Sequence, residues 1–267
     1  MKINRERALG AFREYVDGYH TEEEKVRLMI EHTYRVAELC EEIALSLGLP
    51  KEDVDLAWLV GLLHDIGRFE QLKQYGTFQD ADSIDHARYG AAILFGQGKI
   101  RDYTVDREED GLLRTAVASH NAYRIPEGLG ETTERFCHII RDADKIDILR
   151  VNVEFPLEEI YNVDSASLRG SQVTEEVMES FREEHAVLHS LKKTAVDHVV
   201  GHISLVYELV YPVSLKLVEE QGYLEKLMRF RSENPVTAGQ FAEISEKMGR
   251  YMEDGKRKPQ GFGNCGR

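Results

Sequence analysis

The sequence predicts an all-α fold, on three observations. Apolar residues recur at helical spacing along nearly the whole chain. No stretch shows the strict apolar–polar alternation of a half-buried strand. Gly48 with Pro50, and Pro212, fall where periodic segments stop.

Each element follows from its own residues. Thr21 with Glu24 reads as a capping box opening a long helix that ends near Gly48 and Pro50. Val26, Met29, Ile30, Val36, Leu39, Ile43 and Leu47 form its apolar stripe, and His32 points inward with it. A second helix is expected over residues 51 to about 64, which places His64 and Asp65 at its C-terminal end. Residues 70 to 83 read as a loop, after which His86 enters a helix with Ala91, Ile93 and Leu94. Residues 99 to 110 are polar and expected to be irregular, with Asp110 capping a helix that delivers His120. The next helix covers residues 131 to 150. Cys137, Ile140, Asp144, Ile148 and Val151 share one of its faces, while Asp142 and Asp147 fall off it and are expected at the surface or in caps.

Residues 152 to 174 lack a clear period and read as a loop or lid. Helices resume at about 175–193, 194–211, 213–231 and 236–254, with Pro212 interrupting the chain between two of them. The basic, Gly-rich tail 255–267 is expected to be disordered. With no repeat and no linker, residues 1–254 read as one domain: a core over about 21–151 and additional C-terminal helices over about 175–254.

Composition narrows the function. Hydrophobic residues at 42% and charged residues at 31% fit a soluble globular chain. A net charge of −14 argues against broad binding to a nucleic-acid backbone, which needs clustered Lys and Arg, but leaves room for a local basic pocket that takes a small anion. Cys40, Cys137 and Cys265 have no zinc-type spacing, and the first two read as small core residues. This cysteine usage, with no apolar signal core and no span of membrane length, gives the expectation of a cytoplasmic protein.

The chemistry concentrates in the first half. His32, His64, Asp65, His86, His120 and Asp144 offer the mixed imidazole and carboxylate donors that suit Mn, Fe, Co, Ni or Zn. His64-Asp65 ends the apolar run Leu56 to Leu63, where a charged aspartate is costly unless something pairs with it. A metal ion would be that partner.

The ordered residues His32-Thr33-Tyr34-Arg35-Val36, Leu62-Leu63-His64-Asp65-Ile66-Gly67-Arg68 and Arg141-Asp142-Ala143-Asp144-Lys145 resemble the HD superfamily of metal-dependent phosphohydrolases, over roughly residues 28 to 150. The resemblance implies an HD-type helical bundle and metal-ligand roles for the six residues. His32, His64, Asp65 and Asp144 would suffice for a first ion. His86 and His120 imply a second, with Asp65 bridging, as in the binuclear branch. Paired ions lie roughly 3.5–4 Å apart and lower the pKa of water to about 7, so that hydroxide attacks a phosphate they neutralise. The chain departs from the GYP subgroup of cyclic-dinucleotide enzymes in having His120-Asn121 for its paired histidines, Arg124-Ile125-Pro126 for Gly-Tyr-Pro, and Arg68 for a lysine. These departures set it apart from enzymes of cyclic di-GMP.

Phosphate-binding candidates are Arg68, Lys145, Arg88 and Arg124, because a guanidinium clamps phosphate bidentately; for each arginine the competing role is a surface ion pair. His185 with His189, and His198 with His202, have i,i+4 spacing that can chelate a metal on a helix. They lack the glutamate of His-Glu-x-x-His, and Glu183, Glu184 and Asp197 beside them suggest a solvated or substrate-facing surface.

The leading expectation is a metal-dependent hydrolase of a small phosphate ester such as a nucleotide. Asp65, Arg68 and Lys145 would be its catalytic residues, segment 152–174 would shape specificity, and a homo-oligomer is open. The same ligands resemble those of mixed-valent di-iron oxygenases. A non-catalytic binding module ranks last, since no ligand is missing.

Overall fold

A computed structural model describes residues 2–156, 160 and 163–257. Every regular element among them is helical, as expected for an all-α chain. The chain divides into two compact units, Met1–Asp144 and Lys145–Arg267.

The first unit contains α1 (Arg5–Val16), α2 (Glu24–Ser46), α3 (Lys51–Leu63), α4 (Ile66–Tyr75), α5 (His86–Ala91), α6 (Ile100–Tyr103), α7 (Asp110–Ser119) and the start of α8 (Glu131–Glu154). Its central helix is α3, where every residue from Leu56 to Leu63 is buried. A helix apolar on all sides belongs in a core, and each fully buried large side chain contributes roughly 1.5–3 kcal/mol relative to exposure.

Two glycines set how closely the helices approach. A Cβ on Gly61 would lie 2.6 Å from the Ala37 Cα, so α2 and α3 pack backbone to backbone there. A Cβ on Gly67 would lie 2.6 Å from the Gly90 nitrogen and would also overlap the His86 carbonyl oxygen. Together these approaches bring His32 towards His64 and His86 towards Asp65. From the other side, Phe12 of α1 packs edge-on to Phe69 of α4 at 6.0 Å. The Tyr15 hydroxyl donates to the Ile66 carbonyl at 3.0 Å.

Several boundaries differ from expectation. The long helix begins at Glu24 after a Glu23 cap that makes no side-chain hydrogen bond, so Thr21 and Glu24 form no capping box. The expected loop from residue 70 is helical to Tyr75, where Gly76 ends α4 in the left-handed conformation. Asp110 is the first residue of α7, not its cap, and its carboxylate binds Arg101. A short helix, α6, interrupts the polar stretch expected to be irregular. Asp142 and Asp147 are buried rather than exposed, because α8 is enclosed on more than its apolar face.

The second unit contains the end of α8, then α9 (Ser165–Gly170), α10 (Glu175–Arg182), α11 (Ala195–Ser204), α12 (Pro212–Gln221), α13 (Tyr223–Met228) and α14 (Pro235–Arg257). Val177, Phe181, Val196, Val200, Ile203, Ile244 and Met248 are buried here. Asp197 is buried at the start of α11, where it completes a capping box with Thr194 and accepts from the Thr174 and Lys193 backbone amides. It is a structural cap, not part of a solvated surface.

The segment expected as a loop or lid is partly helical, through the end of α8 and α9; residues 157–159 and 161–162 of it lie outside the described residues. The expected helix from 175 stops at Arg182, so His185 and His189 share no helix face. Pro212 opens α12 at a position where its missing N–H costs nothing. Gly222, left-handed, divides the last expected helix but one into α12 and α13. The final helix reaches Arg257, so the first residues assigned to a disordered tail are helical; residues 258–267, including Cys265, lie outside the described residues. Cys40 and Cys137 are buried free thiols, as expected. No helix among the described residues is long and apolar enough to cross a membrane.

Candidate metal centre

His32, His64, Asp65, His86, His120 and Asp144 all belong to the first unit, and the fold brings their side chains together. His32 projects from the middle of α2 and Asp144 from α8. His64 and His120 each stand one residue past a helix end, after α3 and α7. His86 opens α5, and Asp65 follows His64 as the second of the two residues between α3 and α4. Its backbone leaves the helical region at φ −101°, ψ 17°, and at this N-cap position its carboxylate takes no amide of α4.

Asp65 divides the cluster. Its Oδ2 faces His64 Nε2 at 3.5 Å and His32 Nε2 at 3.7 Å. Its Oδ1 faces His86 Nε2 at 3.3 Å and His120 Nε2 at 3.4 Å. On the Oδ2 side, Asp144 Oδ1 lies 3.2 Å from His32 Nε2 and 3.8 Å from His64 Nε2. Ligand atoms of His32, His64 and Asp144 lie within 4.8 Å of one another, as do those of His64, Asp65 and His120.

The outer ring nitrogens settle the tautomers. His64 Nδ1–H donates to the Gly61 carbonyl at 2.7 Å, and His120 Nδ1–H donates to the Val117 carbonyl at 2.8 Å. His86 Nδ1–H donates to the Asp80 carboxylate at 2.7 and 2.8 Å. In a neutral imidazole the other nitrogen then carries a lone pair. His86 Nε2 faces His120 Nε2 at 3.0 Å, and His64 Nε2 faces His32 Nε2 at 3.3 Å. At the His86–His120 contact, lone pairs so close repel one another unless a cation or proton lies between them. The donor set therefore fits divalent metal, each outer partner orienting its ring as metal-bound histidines require.

The charges agree with this. Burial pushes His64 down to about 4 and also lowers His86. Burial pulls His120 down as well, but its contact with Asp65 outweighs that and raises it. Asp65 and Asp144 are opposed by burial yet held well below the usual carboxylate range by the histidines around them. Both carboxylates are thus anionic and the inner nitrogens of His64 and His86 are unprotonated, the states a cation needs.

Asp80 and Gln71 were not singled out from sequence. Asp80 accepts from His86, from Gln71 Nε2 at 2.8 Å and from Asn121 Nδ2 at 3.0 Å. Burial would raise its carboxyl, but His86 and Arg68 outweigh that and lower it to about 2. Gln71 is fully buried and also donates to the Ile84 carbonyl at 2.9 Å. The rule that a metal-bound histidine donates its second N–H to a carboxylate could have suggested Asp80, Asp82 or Asp85; sequence had no means of choosing among them.

The phosphate-binding candidates are spread more widely. Arg68 stands beside the cluster, its Nε 3.5 Å from Asp65 Oδ1, while its Nη1 donates to the Phe78 carbonyl at 2.5 Å. Lys145 belongs to the second unit, where its ammonium lies 3.0 Å from Glu208. Arg88 lies 3.4 Å from Asp85, and Arg124 lines a surface cleft. His198 is half-buried on α11, and its ring is 6.0 Å from that of His189.

An all-α unit carrying this cluster is the architecture of a metal-binding helical domain. The HD domain family matches residues 29–149. The chain is also similar to the 3'3'-cGAMP-specific phosphodiesterase 1 of Vibrio cholerae serotype O1 (strain ATCC 39315 / El Tor Inaba N16961), with 30% identity over 95 residues. That match covers 32% of this chain and only 22% of the relative. No solved structure matches the chain significantly.

Proposed function

We propose that the chain is a metal-dependent phosphohydrolase that cleaves a small phosphate ester, a nucleotide or cyclic dinucleotide, with two divalent ions. The observation that carries this reading is Asp65, whose two carboxylate oxygens face two separate groups of histidines. His32, His64 and Asp144 would hold one ion, and His86 and His120 the other, with Asp65 shared between them. When bound, such a pair supplies Lewis acidity to a phosphate and lowers the pKa of water to about 7. The similarity to a cyclic-dinucleotide phosphodiesterase supports a nucleotide substrate.

The chain's own residues position the reaction. Asp65 orients the attacking water and can accept its proton. Arg68, three residues on, sets a guanidinium beside the cluster, where it can take a phosphate oxygen. Asp80, Gly61 and Val117 keep the histidines in the tautomer that binds cations. Lys145 is assigned to substrate charge from its place next to Asp144 in sequence.

The test is phosphate release from nucleotides and phosphodiesters by protein purified without chelator. Turnover that chelator abolishes, that Mn, Fe, Co, Ni or Zn restores, and that Asp65→Ala lacks is expected. Bound iron with oxygen consumption and no phosphate release would overturn the reading.

A further inference from the structure

A surface cleft of about 570 Å³ opens in the first unit, within the range of small-molecule sites. It adjoins the metal centre through the chain itself. Ser119 and Asn121, which line it, flank His120, and Asp85, which also lines it, precedes His86. Asn121 joins the two sides, donating to Asp80 at 3.0 Å and to Asp85 at 3.2 Å. The loop after His120 is fastened from beneath by the buried Arg141, whose guanidinium donates to the Ala122 carbonyl and to the Tyr123 carbonyl at 3.2 Å.

Three arginines line this cleft, Arg88, Arg114 and Arg124, against the single carboxylate of Asp85. Arg88 approaches Asp85 at 3.4 Å, but its side chain is 82% exposed. Arg114 and Arg124 have no acidic partner among the described residues. In a chain of net charge −14 this reverses the local sign. Arginines that line one cleft suit a phosphate, which guanidiniums bind through paired charge-assisted hydrogen bonds.

Building on the hydrolase reading, we infer that this cleft binds a second phosphate of the substrate, so that compounds with two phosphate groups, as in a dinucleotide, are preferred over those with one. The phosphate to be cleaved sits at the metal centre, and the arginines hold the other.

Titration calorimetry with hydrolysis-resistant phosphorothioates of 3'3'-cGAMP and of cyclic AMP tests this, with metal content and phosphate release measured on the same preparations. Wild type is expected to bind the two-phosphate compound at least ~10-fold more tightly, and the Arg114→Ala/Arg124→Ala double variant to lose that preference with its metal content unchanged. Equal affinities in wild type, or an undiminished preference in the double variant, overturns the inference. Turnover without an arginine-dependent preference removes this inference alone. An arginine-dependent preference without turnover removes only the hydrolase reading.

Discussion

The inner nitrogens of His64, His86 and His120 in the candidate metal centre are decided by a hydrogen bond on the far side of each ring. His86 depends on a side chain for this, since its Nδ1–H goes to Asp80, whereas His64 and His120 use backbone carbonyls. Asp80→Asn is therefore expected to weaken metal affinity by ~10–100-fold while helical content stays unchanged; metal titration followed by circular dichroism checks both. Protons compete at the same place. Contact with Asp65 raises His120 against the pull of burial, so a proton at that ring competes with an incoming ion. Affinity should fall at least ~10-fold from about pH 8 to about pH 6, and uptake should release protons, measurable by calorimetry in two buffers of different ionisation enthalpy. At this scale the sequence was informative wherever a helix fixed direction: His32 and Asp144 were legible because their neighbours define an apolar face. Asp80 was not, because a loop has no period, and three aspartates between residues 80 and 85 are equivalent until the chain is folded.

Two glycines let helices of this unit approach backbone to backbone. Gly67→Ala must push α4 away from Gly90 and the His86 carbonyl oxygen, both backbone and unable to yield cheaply. A loss of about 1–3 kcal/mol by chemical denaturation is expected, with weaker metal binding, because the same approach brings His86 to Asp65. In the second unit, buried Asp197 ties α11 to the chain before α10, accepting from the Thr174 backbone amide at 2.8 Å and the Thr174 hydroxyl at 2.6 Å. Asp197→Ala leaves these donors unsatisfied and should cost roughly 1.5–3 kcal/mol, read as a lower Tm, with the metal content per folded chain unchanged. Helix existence was read well from periodicity; helix ends were read less well. Thr21 and Glu24 have the spacing of a capping box, yet the chain enters α2 only at Glu24. The helix expected from 175 stops at Arg182 because Glu184 turns left-handed at φ 62° and the His185 amide closes back onto the Ser180 carbonyl.

Across the whole molecule, charge and position separate the chemistry from the rest of the surface. The chain is strongly acidic, yet its arginine-lined cleft lies beside a centre of anionic carboxylates and imidazole lone pairs. The six candidate ligands were legible because they stand in the order that the resemblance to the HD superfamily implies, and two of them, His32 and Asp144, sit on apolar helix faces. The cleft was not, since Arg88, Arg114 and Arg124 come from separate elements and line one cleft only in the folded chain. The most direct measurement is the metal content of protein purified without chelator, beside Asp65→Ala prepared identically. About two divalent ions per wild-type chain, falling to one or none in the folded variant, is expected of a carboxylate shared between two sites. A wild-type chain that binds no metal even on titration, or a variant that keeps two ions, would contradict the account.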